Sequence, residues 1–387
     1  MGLDRVFYIT PSDANNLDSD PGVSYFALRA LQKVFKEVDY CGSLKRTRSI
    51  SQLIRKFATS RFKTMKKTLS LHNDVNAKGY ARQLQPKLLG ENYDLIFSLS
   101  TITIADLQTE LPIFLYTDAT LKNVEDYYPD FTGIDPKSMK AGHALERRAL
   151  AKCKHIFYTS DWARESAIRD YGVLAEKTSV VTRGANFIGA PDEASVEKWV
   201  QARPQDEIRL LFAGVNYKRK GGDIAVEAAQ ELINRGLKTK LTFVGCNMPP
   251  DVEALPFVER IGFLSKQKPD EEALLRKLFE ESHFFILPTR AECAAIVFLE
   301  ASSFGTPNLA SDTGGVSTYV INGVTGQTMP FESRGNAYAD VIQELLVDRK
   351  AYEGLCLKAY RKYRADFNWD AVAKTIHDTI ERTLTSK

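Results

Sequence analysis

The sequence predicts an α/β protein built from two Rossmann-like, doubly wound domains. Short runs of apolar and β-branched residues alternate with longer amphipathic stretches through both halves of the chain. This alternation is typical of βαβ units, in which helices join buried parallel strands. The chain has 387 residues. That length exceeds one ordinary hydrophobic core and suits two domains of about 150–200 residues each.

Each half contains five predicted strands. In the first half they are residues 6–10, 94–98, 113–117, 155–159 and 179–182. In the second half they are residues 209–213, 240–245, 258–262, 283–287 and 308–311. The strand periodicity stops between residues 189 and 206, where two proline-containing turns flank a short amphipathic piece. We therefore expect domains over residues 1–195 and 206–365, followed by a helical segment over residues 366–387.

Composition indicates a globular protein of a reducing compartment. Hydrophobic residues make up 44% of the chain and charged residues 26%. The five cysteines are scattered, odd in number and without metal-type spacing, which argues against a disulfide framework. A strand-like run begins at Val6, leaving no room for a signal peptide, and no apolar stretch approaches the length of a membrane span. We expect a cytoplasmic protein.

The net charge of +3 conceals a strongly basic segment, residues 44–90, which contains twelve lysines and arginines and the single acid Asp74. Between residues 50 and 69, apolar residues recur at helical spacing with basic residues between them. Such a stretch suits an anionic membrane surface or an acidic acceptor, although a solvated helix pair is the simpler alternative. Nucleic acid is not expected, because no nucleic-acid fold or base-stacking motif accompanies the charge.

Two carboxylates are the most informative feature of the C-terminal half. Glu292 follows the apolar run 284–287, and Glu300 stands eight positions later, about two helical turns into the next predicted helix. Both can face the crevice at the carboxyl ends of parallel strands, where two acceptor groups suit a ligand rich in hydroxyls. The alternative is a loop carboxylate and an ordinary solvated glutamate.

A glycine-containing basic loop follows the first strand of the same half. It runs from Gly214 through Arg219 and Lys220 to two glycines, and then enters a helical stretch. Glycines let the backbone approach an anion closely, and the helix N-terminus adds partial positive charge. The loop therefore predicts a diphosphate site, with a solvated basic turn as the alternative. No dinucleotide or nucleotide-triphosphate fingerprint is present, which argues against dehydrogenases, kinases and NTPases.

These motifs resemble the signature of the retaining family 4 glycosyltransferases, also called group 1. The resemblance implies the GT-B fold, in which two Rossmann-like domains face a central cleft. It implies that Glu292 contacts hydroxyls of the donor sugar and that Glu300 binds the ribose of the nucleotide. Arg219 and Lys220 would clamp the diphosphate, although Val215 occupies the position after Gly214 where the family usually has its arginine.

The resemblance extends to further binding positions. Asp118 stands where many relatives have a histidine that contacts the donor sugar, or it caps the following helix. Gly22 lies in a loop that the family places under the phosphates, and Phe263 is a candidate for the base pocket or for ordinary loop packing. The nucleotide site is also expected to include the residues at the start of the helix between the two glutamates, which are Ala295, Ile296 and Val297.

The resemblance implies a retaining hexosyltransferase that needs no metal or other cofactor. It would use a nucleotide-diphosphate sugar as donor and a glycan or lipid-linked hydroxyl as acceptor, in glycan, polysaccharide or glycolipid biosynthesis. The first domain would bind the acceptor and the second domain would bind the donor. Residues 366–387 would return to the first domain. A peripheral position at the inner face of the membrane is expected. The alternatives are an inactive GT-B domain that binds glycans, and a nucleotide-sugar 2-epimerase of similar fold.

Overall fold

The computed structural model describes residues 4–47 and 67–385, without the side chain of Pro21. They form two compact units. The first unit comprises Met1–Val181 and Val372–Lys387, and the second comprises Thr182–Ala371. The division falls between Val181 and Thr182, so the expected linker 189–206 belongs to the second unit and contains a helix of its own.

The first unit is built on a six-stranded parallel sheet in the order β2-β1-β3-β4-β5-β6. Its strands are β1 (Arg5–Ile9), β2 (Glu37–Cys41), β3 (Leu95–Ser98), β4 (Ile113–Thr117), β5 (Cys153–Tyr158) and β6 (Thr178–Val180). The strand order reverses between β1 and β3. The central strands are continuous apolar runs, because helices cover both faces of the sheet.

The second unit repeats this plan with the parallel order β12-β11-β10-β7-β8-β9. Its strands are β7 (Ile208–Ala213), β8 (Thr239–Val244), β9 (Val258–Ile261), β10 (Phe284–Leu287), β11 (Asn308–Ser311) and β12 (Gly326–Met329). Here the strand order reverses between β7 and β10. Open sheets of this kind bind ligands in the crevice beyond the carboxyl ends of the strands at such a reversal.

Helices join the strands of both units. In the first they are α1 (Val23–Leu31), α2 (Asp74–Leu88), α3 (Thr101–Ile104), α4 (Leu121–Val124), α5 (Pro136–Lys152) and α6 (Asp161–Tyr171). In the second they are α7 (Glu193–Ala202), α8 (Gly222–Asn234), α9 (Pro250–Glu253), α10 (Pro269–Glu281), α11 (Ile296–Ser303), α12 (Val316–Tyr319), α13 (Gly335–Val347) and α14 (Arg349–Asp366). The last helix, α15 (Trp369–Thr385), begins in the second unit and ends in the first.

The prediction of two doubly wound α/β domains is confirmed. All ten predicted strands are present to within two residues at either end, and β2 and β12 were missed. Both missed strands lie at a sheet edge. Their sequences, EVDYC and GQTM, lack the apolar run of a central strand, and only partly buried residues make up most of EVDYC and half of GQTM.

The cores consist of aliphatic and aromatic side chains from the strands and the inward helix faces. All five cysteines are free and buried, in agreement with the prediction of no disulfide framework. Among the described residues, no helix combines the length and the low polarity needed to cross a bilayer.

Candidate functional site

Two loops of the second unit leave neighbouring parallel strands at the point where the strand order reverses. The phosphate loop, residues 214–221, follows β7, and the glutamate loop, residues 288–295, follows β10. Because β7 and β10 are paired in parallel, both loops emerge at the same edge of the sheet. The two motifs singled out in the sequence are therefore adjacent.

The phosphate loop depends on glycine at its last position. Gly221 has a φ of +78°, in the left-handed region, and forms the N-cap of α8. A Cβ at Gly221 would lie 1.9 Å from the carbonyl oxygen of Pro288, the first residue of the glutamate loop. Only glycine can satisfy both the backbone conformation and this close approach.

Gly214 has a different role at the start of the same loop. A Cβ at this position would lie 3.2 Å from Cγ of Lys220, so the aliphatic stem of Lys220 passes over the glycine. Lys220 is 9% exposed. The lysine is therefore held within the fold and is not a freely moving surface cation.

Glu292 is the carboxylate that Lys220 reaches. It is 7% exposed, and its Oε2 accepts a hydrogen bond from Nζ of Lys220 and lies 3.4 Å from a guanidinium nitrogen of Arg219. Burial raises the pKa of Glu292, but the charges and hydrogen bonds of Lys220 and Arg219 outweigh it and lower the pKa below its usual range. The structure thus contains a buried, ionised carboxylate between two cations.

A second ion pair joins the glutamate loop to the first turn of α8. Arg290 donates from both terminal guanidinium nitrogens to the two carboxylate oxygens of Asp223, each at 2.8 Å. Burial by itself would raise the pKa of Asp223. The hydrogen bonds from Arg290 and Lys218 together have the larger, opposite effect, and the pKa falls to about 2. The backbone amide of Arg290 also donates to the carbonyl of Arg219 at 2.8 Å. These contacts therefore fix the position of the phosphate loop relative to the glutamate loop.

Glu300 lies in the second turn of α11 and is 6% exposed. Its Oε1 accepts a hydrogen bond from Lys266, which belongs to the loop after β9. The same ammonium lies 4.5 Å from the ring centroid of Phe187. Both glutamates of the motif are thus buried and paired with a lysine, and the alternative of an ordinary solvated Glu300 is wrong.

The other expected nucleotide contacts surround this site. Ala295 is the N-cap of α11, which then begins with Ile296 and Val297. The amide of Gly315, in the loop after β11, donates to the carbonyl of Glu292 at 3.0 Å, so that loop contacts the glutamate loop. Phe263 is 63% exposed after β9, which contradicts the alternative that it serves ordinary loop packing.

Gly22 and Asp118 belong to the first unit, whereas the other predicted site residues belong to the second. Gly22 is the left-handed N-cap of α1, with a φ of +82°. Asp118 follows β4 but does not cap α4, because the hydroxyl of Thr120 accepts the capping hydrogen bond from the amide of Asn123 at 3.1 Å. The capping alternative for Asp118 is therefore wrong.

Within residues 4–47 and 67–385, one group of side chains has the spacing of a metal site. His377, Asp378 and Glu381 place ligand atoms within 4.8 Å of one another on α15, in the first unit. The two carboxylates are exposed, and such acidic groups are common on helix surfaces. This cluster includes none of the residues singled out in the sequence.

The basic segment is only partly described. Residues 48–66, which carry most of the predicted amphipathic pattern and include Lys63 and Lys66, lie outside the described residues. In the described part, Lys45 and Gln83 exchange two hydrogen bonds, from the Lys45 amide at 2.9 Å and to its carbonyl at 2.8 Å. This places the segment before residue 48 against α2.

Comparison with known proteins connects this site to one family. Residues 207–348 match the family model described as "Glycosyl transferases group 1". Over these residues the chain resembles the group 1 glycosyltransferases. It is 28% identical over 265 residues to the D-inositol 3-phosphate glycosyltransferase of Nocardia farcinica, covering 65% of this chain and 56% of that protein. The corresponding protein of Rhodococcus jostii is 25% identical over 272 residues, which cover 67% of this chain and 58% of that protein. The chain therefore spans little more than half the length of these glycosyltransferase relatives.

Solved structures with the same fold cover the whole chain. Sucrose-phosphate synthase from Thermosynechococcus elongatus superposes with a TM-score of 0.70 at 16% identity, covering 99% of this chain and 100% of that one. HepE of Anabaena, solved in complex with UDP and glucose, gives a TM-score of 0.63 at 15% identity, covering 98% and 100%. These likenesses confirm the GT-B fold class predicted from the sequence.

Sequence reasoning missed the partners that hold the site together. Lys266 stands 34 positions from Glu300, and Arg290 stands 67 positions from Asp223. Each is one of many charged residues in its neighbourhood, and no spacing rule connects the members of either pair. The only local signal was that each lies in or beside a loop leaving a strand at the carboxyl edge of the sheet.

Proposed function

We propose that this chain is a retaining glycosyltransferase that transfers a hexosyl group from a nucleotide-diphosphate sugar to an acceptor hydroxyl. The acceptor belongs to glycan, polysaccharide or glycolipid biosynthesis. The proposal rests above all on one observation, the buried Glu292 held between Lys220 and Arg219 where the second sheet reverses its strand order. The similarity to group 1 glycosyltransferases supports it independently.

The charges around Glu292 suit the donor. Lys220 and Arg219 are positioned to bind the diphosphate and to stabilise the negative charge that develops as the nucleotide departs. Glu292 then accepts hydrogen bonds from hydroxyls of the sugar, and Glu300 accepts them from the ribose. Both carboxylates are buried, and hydrogen bonds to charged groups are stronger in the protein interior than in bulk water.

The proposed reaction breaks the bond between the anomeric carbon and the diphosphate oxygen, and its electron pair stays with the phosphate. The acceptor oxygen forms the new bond on the same face of the sugar, and its proton passes to the leaving phosphate oxygen. Asp118 is proposed to contact the sugar, and Gly22, Gly214, Phe263 and the start of α11 to line the donor site. Because the cations of the protein neutralise the diphosphate, we propose that the reaction needs no metal.

Nucleotide release from UDP-, GDP- and ADP-sugars, with and without an acceptor extract, tests the proposal. We expect one donor to be hydrolysed slowly and to react faster with acceptor, giving a product of unchanged anomeric configuration by NMR. Glu292→Gln is expected to lower the rate by about 10²–10³-fold, as loss of a preorganised electrostatic contact does. An inactive glycan-binding domain would release no nucleotide, and a 2-epimerase would release it or convert the sugar without acceptor.

The described basic residues support an anionic membrane surface as a second partner. Lys78 and Arg82 lie one turn apart on α2 and are exposed, as are Lys45 and Arg46 beside them. The acid of this segment, Asp74, is paired with Arg148 at 2.6 Å. The excess charge therefore remains available to lipid headgroups, and we propose that the first unit docks on anionic bilayers through this face.

Sedimentation with vesicles of phosphatidylglycerol and phosphatidylcholine tests the docking. The double reversal Lys78→Glu and Arg82→Glu is expected to weaken binding, because each basic residue near the surface contributes about 1 kcal/mol. Lys198→Glu with Lys358→Glu, two exposed helical positions of the second unit, is the matched control. Unchanged vesicle binding with reduced transfer would instead indicate that the segment attracts an acidic acceptor, and no change in either would exclude an anionic partner.

A further inference from the structure

Arg290 has the contacts of a brace between the two loops of the site. Its guanidinium is engaged by both carboxylate oxygens of Asp223 at 2.8 Å and by the carbonyl of Lys218 at 2.7 Å. These contacts connect the glutamate loop to the first turn of α8 and to the middle of the phosphate loop. A planar guanidinium can make all three at once, whereas an ammonium is a point charge without this fork geometry.

The contacts are reciprocal. The amide of Arg290 donates to the carbonyl of Arg219 at 2.8 Å, and the side chain of Arg219 donates to the carbonyl of Ala291 at 2.6 Å. Each loop thus supplies an arginine that binds the backbone of the other. Gly221 allows this spacing, because its Cα hydrogens face the carbonyl of Pro288 where any Cβ would clash.

We propose that Arg290 is a positioning residue that sets the distance between the phosphate loop and Glu292. It does so through Asp223 and the Lys218 carbonyl, without touching the donor. The inference rests on the proposed function, since it assigns the phosphate loop to the diphosphate. Two neighbouring cations, Arg219 and Lys220, stay in place to meet the ligand, whereas Lys218 shares Asp223 with Arg290 through a hydrogen bond of 2.8 Å. Arg290 is already neutralised by Asp223, with which it forms a bidentate pair that is 29% and 21% exposed.

Calorimetric titration with UDP, GDP and ADP, and with the matching nucleosides, tests the assignment. Arg290→Ala and Asp223→Ala are each expected to raise the dissociation constant of the diphosphate about tenfold, the effect of losing one charged hydrogen-bonded contact. The nucleoside is expected to bind as in the wild type, because Glu300 lies outside the braced loops. A merely structural defect would weaken both ligands alike.

Two further variants separate a brace from a phosphate-binding cation. Arg290→Lys keeps the charge but loses the fork, so a brace predicts a loss as large as that of Arg290→Ala. The double variant Arg290→Ala with Asp223→Ala is expected to bind the diphosphate as the single variants do, because either substitution alone already breaks the Arg290–Asp223 connection. Arg235→Ala is the matched control, since it breaks ion pairs at the other end of α8, to Glu231 at 2.9 Å and Asp340 at 2.7 Å.

The outcomes distinguish this inference from the proposed function. If the wild type binds none of the three diphosphates, the proposed function fails and the assignment of Arg290 fails with it. If the wild type binds one of them and Arg290→Ala binds it equally well, only the assignment of Arg290 is wrong. Near-normal binding by Arg290→Lys would show that the charge of Arg290 matters and its fork geometry does not, which would overturn the brace. Tighter binding by Asp223→Ala would overturn it as well, because Asp223 would then only compete with the ligand for Arg290 and Lys218.

Discussion

Glu146 of the first unit and Glu292 of the second are both buried, and they are in opposite states. In the second unit, Glu292 has two cations as neighbours and a lowered pKa. In the first unit, Glu146 on α5 is 2% exposed, and both its carboxylate oxygens accept from the amide of Leu121, at 3.0 and 2.9 Å. Burial raises the pKa of Glu146 to about 8, against a weaker opposite effect of that hydrogen bond.

The difference shows what turns a buried carboxylate into a candidate site. Burial alone favours the neutral form, because desolvating a charge is costly. Glu146 has no ion pair within the described ranges 4–47 and 67–385 and serves to hold the loop before α4. Glu292 remains ionised only because Lys220 and Arg219 are beside it. A ligand that carries negative charge can replace Glu292 as the partner of those cations.

The largest expected effect comes from removing the buried cation. Lys220→Ala should weaken binding of the nucleoside diphosphate by about 2–5 kcal/mol, as truncating a buried charged partner does, and should change nucleoside binding much less. Calorimetry with both ligands measures the difference. Lys238→Ala, an exposed lysine paired with Glu207, is the control. An equal loss for both ligands would remove Lys220 from the phosphate role.

The opposite states of the two glutamates predict opposite pH dependences. The pKa of Glu146 rises from 4.5 to about 8 on folding, so its contribution to stability is complete below pH 4.5 and is lost as the pH rises towards 8. The pKa of Glu292 is lowered, so its contribution is present above pH 4.5 and is lost in acid.

Glu146→Gln should therefore flatten the decline in unfolding free energy between pH 5 and pH 8 by on the order of 3 kcal/mol. Urea denaturation at several pH values measures the slope for wild type and variant. Glu280→Gln is the control. Glu280 lies at a half-buried helix position of the second unit, and burial raises its pKa as well. Parallel slopes for wild type and Glu146→Gln would show that Glu146 is ionised in the folded protein.

A smaller effect is expected at the other carboxylate of the motif. Glu300→Gln should weaken binding of the nucleoside by about 1.5–3 kcal/mol, the value of a hydrogen bond to a charged group. It should weaken the diphosphate by a similar amount, because both ligands contain the ribose. Unchanged nucleoside affinity would contradict the ribose assignment and leave Glu300 with a structural role beside Lys266.

The smallest effect separates two lysines of one loop. Lys266→Met leaves the buried Glu300 without its cation and should lower the free energy of unfolding by about 1–2 kcal/mol, since a partly exposed pair contributes less than a fully buried one. Lys268→Ala removes a pair with Glu271 in which the lysine is 68% exposed, and should change stability by about 0.5 kcal/mol or less. Equal values from thermal denaturation would mean that the Lys266–Glu300 pair stabilises the fold no more than the exposed Lys268–Glu271 pair does.

The sequence was most informative where structure depends on neighbouring residues. Apolar runs located the central strands, and glycines with a basic triplet located the turn from β7 into α8. It was least informative at two sheet edges, where β2 and β12 are short and partly buried and lack an apolar run. It also left open whether Asp118 caps α4, because Asp118 and Thr120 are both suitable capping residues and only the backbone shows which one precedes the first turn.

The sequence by itself determined the two Rossmann-like halves, the glutamate pair and the basic loop, because side-chain periodicity and turn chemistry are local properties. The tertiary structure decided which charges meet: Lys220 with Glu292, Lys266 with Glu300 and Arg290 with Asp223. Those pairings depend on parallel strands that are distant in sequence and bring their loops to one edge of the sheet. The ionisation of a buried carboxylate depends on the same contacts, which is why Glu292 and Glu146 look alike in sequence and differ in charge.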